Sequence, residues 1–497
     1  MDALAKASPK LYYLLAWLMA AIGYAYLMLF PVLTIFPLVF VGYTLSRLPL
    51  DQWGPTDGLI AACAVIVSIL ASLTSIAIFK TRPELPPGRP LLSGDFPVLL
   101  NRIAEIRTSY NAPDIDQVKL TTRFDMEIIQ SPLHGFPSGF SNTLMIGLPL
   151  MSCMSPLHLK LLLAREIGHL SLARSQYQRR LLYLRHVWQQ YANEYSHEWR
   201  FDTFLLRIFF SWYARFYAIS TDTLVELESF VKDRCMLDIT TAQRAAEAIA
   251  SYNIKRRFVS HEFWPVLNNM AYTEPKPPWL PYSTMDKIIQ NRLDKQKAQD
   301  YYNGIAGDDY SSGEIDLLHR RMKALDQDDF YFPAPKPDNA AHHFFGDSLK
   351  AIQSQMDNIW FLKNKSIWMK RYKEGINERK HLKQLRAQAA QALLSNDEAR
   401  NYIKLLNKYV EPEKALPLCY ELLHTNSLDP VVCYEVGRML TNAHDNRGIE
   451  ALELAMHQDR SMTIDCCKQI IKHLVHIGDI NSATRYRRKI LTYQVEA

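Results

Sequence analysis

Residues 11–50 carry no charged side chain before Arg47, and residues 59–79 form a second uncharged run of 21 residues. A helix rises about 1.5 Å per residue, so roughly 20 apolar residues cross the hydrocarbon core of a bilayer. Both runs are expected to span a membrane. The first is too long for one straight crossing, and Pro31 and Pro37 point either to a kinked, overlong helix or to two shorter segments. Lys6 and Lys10 precede the first run, Lys80, Arg82 and Arg89 follow the second, and the loop between them has only Asp51 and Asp57. Positive charge on both outer flanks predicts an even number of crossings in the inner (plasma) membrane, a multi-pass anchor with the soluble part cytoplasmic. A cleaved signal peptide is disfavoured, because a second apolar run follows where a small-residue cleavage site would stand.

The whole chain of 497 residues is too long for one core and divides into two or three domains. Lys and Arg total 57 against 51 Asp and Glu, a balance of +6 spread broadly apart from a mixed-sign run at 370–386. That argues against a nucleic-acid partner. Seven cysteines without a C-x-x-C pair read as reduced thiols. After a proline-rich linker at 83–90, residues 96–110 have helical periodicity, and 118–122 and 142–147 read as strands.

The stretch 161–170, LLLAREIGHL, places Glu166 and His169 three residues apart on an apolar helix, with Arg165 one residue ahead. Taken alone, the pattern describes a structural helix, with Arg165 and Glu166 on a solvated or ion-paired face and His169 hydrogen-bonded in the core. Its flanks add to this: FSNTLMIGLPL at 140–150, Ser155-Pro156 leading into LKLLLAREIGHLSLAR, FFSWYARFYAIS at 209–220 and HEFWP at 261–265. Together they resemble the membrane-associated zinc metallopeptidases of the HtpX and CAAX-prenyl-protease type.

In that family an H-E-x-x-H helix supplies two zinc-binding histidines and a glutamate general base. The resemblance gives Glu166 the base position and His169 the second ligand position, both vestigial, with Arg165 at the first. A guanidinium has no lone pair to donate, and a fixed cation about 4 Å away repels each unit of metal charge by roughly 4 kcal/mol at an effective dielectric near 20. The family's third ligand comes from E-x-x-A-D on a later helix, which matches residues 229–233 and places Ser229 at the ligand and Asp233 as the residue that braces the histidine helix. Glu226 and Glu228 read as solvated charges or ion-pair partners, with a carboxylate of this helix expected to pair with Arg165. The family's substrate-aligning Asn-Ala pair falls at Met126-Glu127, and its closing His-Pro turn at Ile315-Asp316, before LLHRRMKAL at 317–325.

Three further expectations concern the rest of the chain. Residues 201–220 are aromatic but interrupted by Arg207 and Arg215, which suits an interfacial or a bundle helix more than a full span. Residues 275–313 read as a Pro/Gly/Asp-rich connection, and His342-His343 as an exposed loop pair. Residues 383–493 are helical with a loose period in the low thirties and resemble tetratricopeptide-like helix pairs.

The expected fold is therefore mainly α with a small β-sheet: an α+β zincin-like peptidase domain, N-terminal transmembrane helices and a C-terminal α-helical repeat region. Its boundaries are an anchor at 1–82, a metallopeptidase-like domain at 83–345 and a helical region at 346–497. The expected function is that of a membrane-anchored pseudopeptidase without a cofactor. Its partners are the lipid bilayer and proteins held by the C-terminal helices. The alternative is an active zinc endopeptidase acting on membrane or misfolded proteins.

Overall fold

A computed structural model describes residues 8–47, 54–80, 87–92, 94–132, 140–172, 175–197, 203–303, 312–327, 339–391, 394–425 and 429–496. The chain is mostly helical, with one small mixed sheet. The first apolar run is a single helix, α1 (Pro9–Arg47), which continues through Pro31 and Pro37, so the two-segment alternative does not apply. The second is α2 (Pro55–Lys80). Both are long and apolar enough to cross a membrane, and both expose large hydrophobic side chains such as Leu18, Phe36, Ile69 and Phe79.

Four strands follow: β1 (Arg89–Pro90), β2 (Gln117–Thr121), β3 (Met126–Pro132) and β4 (Phe140–Gly147), with α3 (Pro97–Ser109) between β1 and β2. Their order in the sheet is β1-β2-β4-β3, with β2 parallel to β4 and β3 antiparallel to it. The end of the proline linker is thus a strand, since Arg89-Pro90 pairs with Lys119-Leu120. β3 was not read from the sequence. Among the described residues it is one edge of the sheet.

Beyond the short helix α4 (Leu148–Cys153) lie α5 (Pro156–Ser171), α6 (Ser175–His197), α7 (Phe204–Ser220) and α8 (Asp222–Leu237). The inner face of α1, including Tyr12, Ala16, Ala20 and Phe30, shares a core with Leu184 and Trp188 of α6 and Phe210 and Tyr217 of α7. At Gly23 a Cβ would lie 2.8 Å from the Trp188 ring, so glycine is what allows the approach. Helix α7 buries Leu206, Phe210, Tyr213 and Tyr217 on one face while Leu205, Ile208, Trp212 and Phe216 remain exposed on the other.

The chain packs as two units: Met1–Arg256, Met285–Lys295 and Ser311–Ile352 form the first, and Arg257–Thr284, Gln296–Tyr310 and Gln353–Ala497 the second. The expected boundary at residue 345 lies near the last of these divisions. Arg257–Thr284 and Gln296–Tyr310, expected in the peptidase-like region, fall in the second unit, and in the first of these Leu267 and Ala271 share a core with Trp368, flanked by Trp264, Trp279 and Trp360. The expected connection 275–313 contains two helices, Pro281–Arg292 and Lys295–Asn303. In the C-terminal part, alternate helices begin at Asn396, Pro430 and Thr463, 34 and 33 residues apart.

Candidate functional site

The site is built where α5 crosses α8. Ser155 caps α5 by accepting the His158 N–H, Pro156 occupies its first turn, and the apolar face from Leu159 to Leu170 is buried. Gly168 permits the crossing: a Cβ there would lie 2.8 Å from Cys235 Cβ and 3.0 Å from the Tyr110 ring. This contact directs Arg165, Glu166 and His169 toward the polar face of α8.

A compact ion cluster results. Arg165 donates from Nη1 to Glu166 Oε1 at 2.5 Å and from Nε to Asp233 Oδ1 at 2.9 Å. Lys232 donates to the other oxygen of Glu166 at 2.9 Å. Asp233 also accepts from Arg321, at 2.6 Å from Nε and 2.8 Å from Nη2. Arg321 lies on α9 (Ser312–Ala324). Glu166 and Asp233 are 4% and 2% exposed, so both charges depend on protein partners for most of their stabilisation. Burial opposes ionisation of Asp233, yet the Arg321 and Arg165 guanidiniums hold its carboxyl below the ordinary range. Burial likewise opposes the charge on Lys232, and Glu166 and Glu228 outweigh it and raise its pKa.

The expected pairing of Arg165 with a carboxylate on α8 is present, through Asp233. The resemblance singled out Ser229 on α8, one residue beyond the one that faces His169 in the structure. Ser229 donates its hydroxyl to Val225 O within its own helix, whereas Glu228 faces the site, 3.6 Å from His169 Nδ1 and 3.6 Å from Lys232 Nζ. The shift of one residue follows from the helical turn of about 100° per residue, which puts Glu228 and Lys232, four apart, on one face. Glu226 pairs with Arg320. Ile315 and Asp316 lie inside α9 and make no closing turn. His342 and His343 are exposed, as expected, but on a short helix capped by Asn339, not on a loop.

Zinc would need Glu166 clear of competing cations and a second donor beside His169. Here Arg165 Nη1 and Lys232 Nζ both sit on Glu166, and among the described residues no three His, Cys, Asp or Glu side chains are placed to hold an ion. These residues do not fit the metal.

Beside the cluster opens a cleft of about 210 Å³ lined by Glu127–Gln130 of β3, Glu166, His169, Tyr183, His186, Glu228 and Lys232. Met126 is buried, and Glu127 turns toward the cleft. Burial, followed by the nearby Asp125 carboxylate, raises the Glu127 pKa despite Arg123 at 3.1 Å. Burial and then Arg123 lower that of His186.

The sequence did not assign Lys232 or Arg321 to the site. The helical spacing of Glu228 and Lys232 was a usable signal for the first. Arg321, 88 residues from its partner Asp233, lies in the segment LLHRRMKAL that the resemblance singled out, but no role in the site was read for it.

Comparison with protein-family models, curated proteins and solved structures gives no match. The metallopeptidase likeness rests on the sequence motifs quoted above.

Proposed function

We propose that this chain is a membrane-anchored pseudopeptidase, a protein with the peptidase-like helix pair and cleft that binds polypeptide without hydrolysing it. The observation that carries this reading is Glu166 held between Arg165 and Lys232. A general base must be available to a metal-bound water, and a carboxylate with both oxygens on cations is not. The cleft beside it keeps a sheet edge, β3, whose main chain suits an added extended segment.

The zincin-like reading of the sheet and helix pair belongs to this proposal, as does an inner-membrane, multi-pass placement with the soluble part in the cytoplasm. The flanking charges support that placement, and the exposed apolar face of α7, which packs on α1, suits contact with the same bilayer. The C-terminal helices, with starts recurring at tetratricopeptide-like spacing, would hold a protein partner. Nucleic acid is not among the partners proposed.

Proteolysis by the purified full-length protein, with zinc added, tests the reading. No hydrolysis that is both chelator-sensitive and abolished by Glu166→Gln is expected. Hydrolysis with both properties would overturn it.

A further inference from the structure

The mixed-sign run at 370–386 lies on the long helix Ser348–Ala389, one side of which is fixed by packing. Trp368 is buried and donates from Nε1 to Glu274 O at 2.9 Å. Arg371 donates to Asn268 Oδ1 at 3.1 Å, and Arg379 to Tyr272 O at 2.5 Å. Glu378 is engaged by Lys408, at 2.6 Å.

The opposite side is set by helical phase. Residues 362, 366, 369, 373, 376 and 380 are spaced alternately by four and by three, which aligns them in one stripe along a helix. They read Leu, Ser, Met, Lys, Ile, Lys, and all six are exposed. At about 1.5 Å per residue the stripe runs for about 27 Å. Lys365 and Lys383 border it on one flank and Lys363 and Lys370 on the other, all four exposed. Residues 363–386 hold nine Lys and Arg against two Glu, an excess of +7 where the whole chain has +6. The stripe is therefore apolar and strongly basic at once.

We propose that this stripe lies on an anionic bilayer surface, with Leu362, Met369 and Ile376 entering the headgroup boundary and the bordering lysines reaching lipid phosphates. Lysine suits such a place, because its alkyl stem lies along apolar groups while the ammonium stays at the polar surface. Pairing with a second copy would instead bring two stripes of the same sign together. The inference rests on the membrane-anchored reading above and adds a second, electrostatic contact with the lipid. An anchor in the same chain raises the effective concentration of the bilayer at the stripe, so individually weak attractions add to a stable contact. The cytoplasmic leaflet, on the side proposed for the soluble part, is the anionic one.

Lipid photolabelling of the full-length protein tests this. The protein is reconstituted into vesicles of phosphatidylcholine alone or mixed with phosphatidylglycerol, each with a trace of diazirine-bearing phosphatidylcholine, and labelled peptides are read by mass spectrometry. Label in α1 and α2 is expected in both vesicles. Label in 362–380 is expected to be at least about fivefold higher with phosphatidylglycerol, the scale of one lysine beside an anionic surface, and to fall at high salt. Lys373→Glu with Lys380→Glu should remove that gain while α1 and α2 stay labelled. If 362–380 is unlabelled while α1 and α2 are labelled, if it is labelled equally in both vesicles, or if the double variant retains the gain, the inference is overturned and the anchor stands. Absence of label from α1 and α2 would overturn the membrane-anchored reading and this inference with it.

Discussion

Two buried aspartates, each held by arginine, sit in different surroundings. Asp429, ahead of the helix Pro430–Asn442, accepts the backbone N–H groups of Val431 and Val432 as well as Arg400. Arg400 is 39% exposed along its side chain. Asp233 lies inside α8 and answers to two guanidiniums that are themselves mostly buried, Arg321 at 8% and Arg165 at 14%. The first carboxylate is a helix cap with a surface arginine attached, so its local backbone holds it whatever the arginine does. The second depends on side chains brought from α5 and α9, and so ties three helices together. One arrangement caps a single helix in the C-terminal part; the other joins three helices through buried ion pairs.

The comparison sharpens with mutation. Arg321→Ala removes both hydrogen bonds to a carboxylate that is 2% exposed and should cost about 3–5 kcal/mol, read from denaturant melts of the solubilised protein. Arg165→Ala should cost less, about 2–3 kcal/mol, because Arg321 still serves Asp233 and Lys232 still serves Glu166. Arg400→Ala should have the smallest effect, since Asp429 keeps its backbone donors. If Arg400→Ala proved as damaging as Arg321→Ala, the contrast between cap and cluster would be wrong.

Acidification gives a second comparison. The folded-state pKa of Asp233 is depressed, so its stabilisation is fully present above the unfolded value near 3.9 and is lost as pH falls through the folded value. The raised pKa of Lys232 has the opposite consequence: its stabilisation is present below about 10.4 and is lost as pH rises through the folded value. Stability measured against pH should fall on the acid side in the wild type, and Asp233→Asn should lack that share of the fall.

What the sequence made legible followed local spacing. The membrane-length runs and α5 arise from periodicity within a few turns, whereas the partnership of Arg165 with α8 was expected only from the family resemblance. β3 escaped because MEIIQSP lacks clean alternation and ends on proline. The helix Pro281–Arg292 was hidden by neighbouring Pro and Gly, although Tyr282, Met285 and Ile289, all buried, keep helical spacing. Glu228 and not Ser229 faces His169, because helical phase and not residue order in a motif decides which side chains of α8 turn toward it. Arg321 required the tertiary fold, since nothing within its own helix needs a buried cation.

The central claim, that cations stand where a metal would, is tested most directly by the zinc content of purified full-length protein alongside two variants. The wild type should hold well under one zinc per chain, and His169→Ala should not change that. The paired change Arg165→His with Lys232→Ala, which clears Glu166 and leaves Glu228 facing His169, should raise the zinc content. Stoichiometric zinc in the wild type, lost on His169→Ala, would contradict the account.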